Sequence, residues 1–234
     1  NVVFSSSDKT LTLFFVFLFL IKMNIMKITS TGILIVALFL FMTSCTEKKD
    51  EPVEMGYEYW PVNVGDYRIY QVDSIIWDDF YNPVRIDTFS YKVKEVIASE
   101  IKDAEGRPAY RVERSIKQHD TLEWAVDKIY KLQKLQTKVL KMIDNQTFVQ
   151  FVFPVKNGVE RNANTYNSDP KNNYEFRDIE TSYDMNGVTY NETSTVQQND
   201  LVTLISNDVA FEIYARGYGM IYKEDVSQEL DIST

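Results

Sequence analysis

"FSYKVKEV", residues 89–96, alternates apolar and polar side chains along its length. Phe89, Tyr91 and Val93 take every second position, with Ser90 and two lysines between them. Successive side chains of a β-strand point to opposite faces, so a period of two predicts a strand with one buried face. This stretch assigns the chain to the mainly β class.

The same alternation recurs further along the chain. "AYRVERSIK" at residues 109–117 and "LEWAVD" at residues 122–127 both alternate, and turn residues separate such runs. The pair Asn186-Gly187 lies between two further runs, and Asn-Gly is the strongest short signal for a hairpin. We predict a curved antiparallel sheet over residues 57–234, shaped as a half-barrel or as a sandwich.

One segment shows a competing pattern. "DKIYKLQKLQTKVLKMID", residues 127–144, spaces its aliphatic residues close to the helical period. Its lysines and glutamines also favour a helix. A short helix is therefore an alternative for the first half of this segment. For residues 138–143 a family resemblance, described below, favours a strand.

A faint internal repeat links "YWPVNVGDYRIY" and "FVFPVKNGVERN". Both place Pro-Val-x-x-Gly after an aromatic residue, at residues 61–65 and 154–158. Proline suits the start of a strand, and glycine permits the turn that follows. The repeat predicts two similar β units curling into one sheet, and a coincidence over so short a motif is the alternative.

The N-terminal part carries export signals. Residues 33–42 form an apolar run behind Lys27, as in a signal peptide. The run is short of the roughly 20 apolar residues that a membrane-spanning helix needs. It ends in "MTSC", which resembles the lipobox of bacterial lipoproteins. We predict a lipoprotein signal peptide at residues 23–44, and Cys45 as the acylated first residue of the mature protein.

Residues 45–56 are predicted to form an acylated tether, because "TEKKDE" has nothing to bury. Two acyl chains at Cys45 would hold the protein stably at a membrane, whereas one chain holds only marginally. Lys49, Asp50 and Glu51 resemble the export signal of Bacteroidota lipoproteins. They predict an outer-membrane protein that faces the cell exterior, and a charged linker on the periplasmic face is the alternative.

Residues 1–22 do not fit this scheme. They begin with Asn1 and contain a second apolar run. We interpret them as an upstream extension, with translation starting at Met23 or Met26, because a lipobox acts only on a segment at the true N-terminus. Half of a membrane hairpin is the alternative interpretation.

Four runs resemble a family of uncharacterised Bacteroidota outer-membrane lipoproteins: "YEYWPVNVGDYRIYQVDSIIWDDF", "KEVIASEIKDAEGRPAYRVER", "FVQFVFPVKNG" and "FEIYARGYGMIYKE". The resemblance covers residues 57–234 and implies the strand at residues 138–143. The family pattern has a tryptophan-containing run where this chain has "RNAN" at residues 161–164, so a large buried anchor is expected to be missing there. Because members of the family continue beyond the region that matches "DIST", the resemblance implies that a closing strand is missing, and it implies no functional residue beyond Cys45.

No residue pattern predicts catalysis or metal binding. His119, the only histidine, lies with Ser115 and Asp120 on or beside one strand, where neighbours point to opposite faces and cannot form a triad. We predict an exposed His119. Zinc sites need more His and Cys ligands than this chain offers, and its acidic turns match no calcium loop. No catalytic residue, cofactor or metal is expected.

Charge and short motifs restrict the partners. The net charge of −9 disfavours nucleic acid, whose phosphates would be repelled. Ser74 and Thr121 each follow an aspartate in a three-residue pattern that resembles the O-glycosylation site of exported Bacteroidota proteins. Eight aromatic residues within residues 57–81 are predicted to lie mostly in the core, with a platform for a glycan or lipid ligand as the alternative.

We expect a non-enzymatic role, either in binding or as an accessory in the cell envelope, with the membrane as partner through Cys45. Protein partners are not indicated. Two alternatives remain open. A carrier of an acyl chain requires an open apolar cavity, and a hydrolase of envelope polymers requires two acids about 5 to 9.5 Å apart in a cleft.

Overall fold

The computed structural model describes residue 22 and residues 52–229. The chain divides into two compact units, residues 1–52 and 53–234. The described part of the second unit is mainly β and forms a strongly curled antiparallel half-barrel, which confirms the predicted fold class. The upstream extension, the signal peptide and any strand beyond residue 229 lie outside the described residues, apart from residue 22.

Two antiparallel sheets follow one another along the chain. The first contains β1 Tyr67–Asp78, β2 Arg85–Lys102, β3 Pro108–Lys117, β4 Ala125–Lys134, β5 Lys138–Ile143 and β6 Gln146–Val152. The second contains β7 Glu160–Asn162, β8 Asn173–Met185, β9 Val188–Val202, β10 Ser206–Ala215 and β11 Gly219–Glu229. Within each sheet every strand pairs with its neighbour in sequence, so short turns are sufficient as connections.

The inward faces of both sheets share one core. Phe151 of β6 is fully buried at its centre, and its ring lies 4.9 Å from that of Phe176 on β8 and 4.8 Å from that of Tyr214 on β10. The segment before β1 completes this core: a short 3₁₀ helix, Tyr57–Tyr59, buries Tyr59, and the Trp60 ring lies 5.4 Å from Phe151. Aromatic packing therefore joins the two sheets.

The internal repeat has a structural counterpart. Gly65 and Gly158 both adopt positive φ, at 95° and 76°. The N–H of Gly65 donates to the carbonyl of Ile97 on β2, and the N–H of Gly158 donates in the same way to Phe176 on β8, each at 2.9 Å. In both places the next strand begins two residues after the glycine. The motif thus precedes the first strand of each sheet. The two β units that the repeat predicts share a core, but they form two separate hydrogen-bonded sheets where one sheet was predicted.

Local sequence signals predict several elements correctly. Lys138–Ile143 is a strand with the predicted bounds. The Asn186-Gly187 turn is confirmed, with φ of 52° and 80°, and it joins β8 to β9. The strand predicted at residues 122–127 starts only at Ala125.

The short helix considered for the first half of residues 127–144 is wrong. That segment belongs to β4, which pairs with β3 and with β5. Tyr130 and Leu132 alternate into the core, at 8% and 5% exposure. Pairing on both edges and burial at every second position outweigh the helix propensity of the lysines and glutamines.

The prediction that the N-terminal aromatics lie mostly in the core is also wrong. Tyr59, Trp60 and Tyr70 point inward, but the remaining five are exposed: Tyr57, Tyr67, Trp77, Phe80 and Tyr81. Phe80, at the β1–β2 turn, is 89% exposed. The tip of this hairpin extends beyond the core, so side chains on both faces of its strands are exposed there.

Arg161 on β7 supplies the buried anchor that was expected to be missing. It is 6% exposed, and its guanidinium lies 4.8 Å from the ring of Tyr174. Its Nη2 donates to the carbonyl of Gln150 at 2.6 Å, and its Nε donates to that of Val149 at 3.2 Å. An arginine thereby ties β7 to β6 with both stacking and hydrogen bonds.

Candidate functional site

A cavity of about 240 Å³ lies between the two sheets, beside the aromatic core. Its wall contains six charged side chains, and charges inside a protein are rare unless they are paired. Both sheets contribute these groups, which are Arg68, Glu95, Arg114, Lys141, Glu212 and Lys223. The aromatic part of the wall consists of Trp60, Tyr70, Tyr130 and Tyr214.

Strand pairing places the charged groups of the first sheet next to one another. Glu95 on β2 lies directly opposite Arg114 on β3. Lys141 on β5 lies opposite Leu132 on β4. Directly opposed residues have Cβ atoms about 4.5–5.5 Å apart, so their side chains share one stretch of the sheet face. Four of the first five strands, β1, β2, β3 and β5, thus deliver these groups to one wall.

Glu212 on β10 is the most tightly held charge of the cavity. Its side chain is 4% exposed. The hydroxyl of Tyr214 donates to Oε2 at 2.7 Å, and the ammonium of Lys223 on β11 lies 3.3 Å from Oε1. Both carboxylate oxygens are therefore engaged, and Glu212 is held as an acceptor between two fixed partners.

Lys141 differs from the other cations of the cavity. Among the described residues it has no ion pair and no hydrogen bond. Its ammonium lies 4.4 Å from the centre of the Tyr130 ring, an arrangement that favours a cation. Burial lowers the pKa of Lys141, while the nearby carboxylate of Glu95 acts in the opposite direction.

The two tyrosines of the first sheet remain neutral hydrogen-bonding groups. Burial raises the pKa of Tyr70 and that of Tyr130, and the charge of Glu95 raises both further. The hydroxyl of Tyr70 donates to the carbonyl of Met220 at 3.3 Å, which links β1 to β11 across the interior. The cavity thus combines fixed cations with phenol groups that do not ionise near neutral pH.

Three of the sequence-predicted residues, Ser74, His119 and Thr121, lie in the part of the chain that the structure describes. Cys45, Lys49, Asp50 and Glu51 lie outside the described residues. Ser74 is half-buried within β1, where it lies opposite Phe89 on β2.

Thr121 is exposed in the β3–β4 turn, next to Asp120, whose carboxylate pairs with Lys92. His119 is exposed in the same turn, as predicted. None of these residues lines the cavity.

The charged residues of the cavity were missed by sequence reasoning, although a signal exists. Glu95 stands between Val93 and Ile97, both of them buried, at a position where alternation requires an inward side chain. Arg114 stands in the same way two residues after the buried Val112. A charge at an inward position of an alternating strand marks a buried polar site.

Three results bear on other kinds of site. Within residues 52–229, no group of three or more His, Cys, Asp or Glu side chains is arranged to hold a metal ion. No helix in the described part of the chain is long and apolar enough to cross a membrane. Comparisons with protein-family models, with curated proteins and with solved structures gave no match.

Proposed function

We propose that this chain is a lipid-anchored envelope protein whose half-barrel binds a small polar ligand without chemical change. The observation that carries the proposal is the cavity between the sheets, where six charged groups and three tyrosines converge from both sheets. Ligand sites are concave and contain a few convergent polar groups on rigid elements. Acylation at Cys45 would hold this site at the outer membrane, facing the exterior if Lys49, Asp50 and Glu51 act as an export signal.

The character of the cavity favours this role over a carrier of acyl chains. An acyl chain needs an apolar wall, since charged groups lose their hydration beside it without gaining a partner. Lys141 and Glu95 would face such a chain directly. The adjacent interior is filled by the rings of Phe151, Phe176 and Tyr214, which pack against one another.

Nothing in the cavity favours hydrolysis over binding. Glu95 and Glu212 come from different sheets and line the same space. A glycoside hydrolase needs one of two such acids as a proton donor. Both carboxylate oxygens of Glu212 are instead already in contact with the protein, one with the hydroxyl of Tyr214 and the other with the ammonium of Lys223.

Binding is tested by thermal unfolding of the full chain against a panel of neutral, cationic and anionic polar molecules of sugar size. A ligand at 100 times its Kd stabilises the folded state by about 2.7 kcal/mol, a readily measured shift in Tm. We expect at least one class to raise Tm, with the effect lost in Glu95→Ala. Glu100→Ala, at an exposed position of the same strand, is the matched control. A panel without any shift would contradict the proposed binding role.

Anchoring is tested separately. Cys45→Ala should abolish incorporation of radiolabelled palmitate and leave the precursor uncut. Protease added to intact cells should degrade the domain if it faces the exterior. Protection of the domain would instead support the periplasmic location.

A further inference from the structure

The cavity has the opposite charge balance to the chain as a whole. The chain carries 34 acidic and 25 basic residues, whereas the cavity wall carries four cations and two carboxylates. The wall of this cavity is therefore more positive than the protein as a whole. Cations on a partly buried wall attract an anion more strongly than they would in bulk water.

Internal partners compensate only part of this positive charge. Lys223 pairs with Glu212, and Arg114 pairs with Asp127 at 3.1 Å. Arg68 donates to two neutral carbonyls, those of Tyr218 at 2.8 Å and Pro61 at 3.2 Å, so its charge is not balanced by these contacts. Lys141 has no charged partner within 4 Å among residues 52–229. Even with Asp127 counted, cations exceed carboxylates.

Besides the aliphatic side chains of Ile97, Val112, Leu132 and Met220, the remaining wall offers hydrogen-bond acceptors and aromatic surface. The carboxylate of Glu95 and the side-chain oxygen of Gln150 can accept hydrogen bonds from hydroxyls. Trp60 and Tyr130 present aromatic surface beside these polar groups. The volume of about 240 Å³ lies below the roughly 300 to 1,000 Å³ of pockets for drug-sized ligands, so the ligand is a single small unit.

We infer that the cavity takes a small organic acid that carries hydroxyl groups, of the chemical class of a hexuronate, with its carboxylate on the ammonium of Lys141. The inference rests on the proposed binding function and specifies the charge of the ligand. The carboxylate supplies the anion that Lys141 lacks, and its hydroxyls pair with Glu95 and Gln150. The charge and size of the cavity then select against neutral sugars and against long anions.

The test is isothermal titration of the full chain at pH 7 with four probes: D-glucuronate, D-glucose, D-glucosamine and inorganic phosphate. We expect glucuronate to bind and the three others to bind at least tenfold more weakly. Lys141→Met should weaken glucuronate binding about 10- to 100-fold, since a hydrogen bond to a charged group is removed. Lys141→Arg, which keeps the charge, should retain most of the affinity.

Lys128→Met is the matched control, because Lys128 is an exposed lysine of the neighbouring strand and its ammonium pairs with Asp144. It should bind glucuronate as the wild type does. Thermal unfolding of every variant shows whether it is folded.

Each contrary result has a distinct meaning. Binding of glucose or glucosamine as tight as that of glucuronate would overturn the anionic assignment and leave the proposed binding role intact. Phosphate binding as tight as that of glucuronate would overturn the assignment of the ligand to the organic acids. Unchanged glucuronate affinity in Lys141→Met would overturn the role of Lys141. Failure of all four probes would overturn the inference, and the wider ligand panel would then decide whether the binding role fails with it.

Discussion

The interior of the half-barrel has two parts that are built by the same strands and filled in opposite ways. Around Phe151, aromatic rings from both sheets pack at centroid distances of 4.8 to 5.5 Å. A short distance along the same inward faces, Lys141, Glu95 and Glu212 surround an open cavity. The packed part stabilises the fold, whereas the charged part keeps polar groups available at a cost in stability.

The largest expected effect lies in the packed part. Phe151→Ala removes a fully buried ring at the junction of the two sheets. We expect the free energy of unfolding to fall by about 3–5 kcal/mol, measured by urea denaturation. Phe80→Ala, at a position 89% exposed, should change it by less than about 0.5 kcal/mol. Equal effects of the two substitutions would contradict the burial of Phe151 in the core.

The next largest effect concerns Glu212, a charged residue of the cavity wall that pairs with other residues of the protein. Glu212→Ala leaves the buried hydroxyl of Tyr214 without its acceptor and Lys223 without its carboxylate. We expect a loss of about 2–3 kcal/mol in urea denaturation, since an unsatisfied buried donor is costly. Adding Tyr214→Phe to this variant should recover part of the loss. Additive losses would show that the two side chains are not coupled.

A substitution in the cavity should act in the opposite direction. Lys141→Met removes an unpaired, part-buried cation, and we expect it to stabilise the protein by about 1 kcal/mol at pH 7. Because burial lowers the pKa of Lys141, the wild type bears this penalty fully below the lowered pKa. The penalty disappears as pH rises toward the unfolded value of about 10.4.

Urea denaturation of both proteins at pH 7 and pH 10 measures this difference, which should be smaller at pH 10. A destabilised Lys141→Met variant at pH 7 would show that Lys141 contributes to the packing of the fold.

The smallest expected effect comes from a matched tyrosine–glutamate pair at a more exposed position. The hydroxyl of Tyr222 donates to Glu224 at 2.7 Å, as Tyr214 does to Glu212. This hydrogen bond raises the pKa of Tyr222 to about 12. The pair therefore contributes stability that is complete below pH 10 and is lost as pH rises through about 12.

Glu224→Ala should cost about 0.5–1 kcal/mol at pH 7 and lower the pKa of Tyr222 toward 10. Ultraviolet titration of tyrosine ionisation measures that shift. A cost as large as that of Glu212→Ala would contradict the expected difference between the buried and the part-buried pair.

The residues that were predicted correctly and those that were not follow a common rule. Alternation, turn chemistry and the Pro-Val-x-x-Gly repeat act over a few residues, and they predict the strand class, the Asn186-Gly187 hairpin and the segments that precede each sheet. The helix considered for the start of residues 127–144 failed because β4 is paired on both edges. The exposure of Phe80 was missed because alternation does not show where a hairpin leaves the core.

The strands of this protein and their inward faces are local properties, because each side chain's direction depends only on its place in an extended chain. The division of the interior into a packed part and a charged cavity is not local. It depends on which strands lie opposite one another. Lys141, Glu95 and Glu212 come from β5, β2 and β10, which are far apart along the chain, so no local sequence pattern links them. Only folding brings their charges to the wall of one partly buried cavity, where they interact more strongly than they would in bulk water.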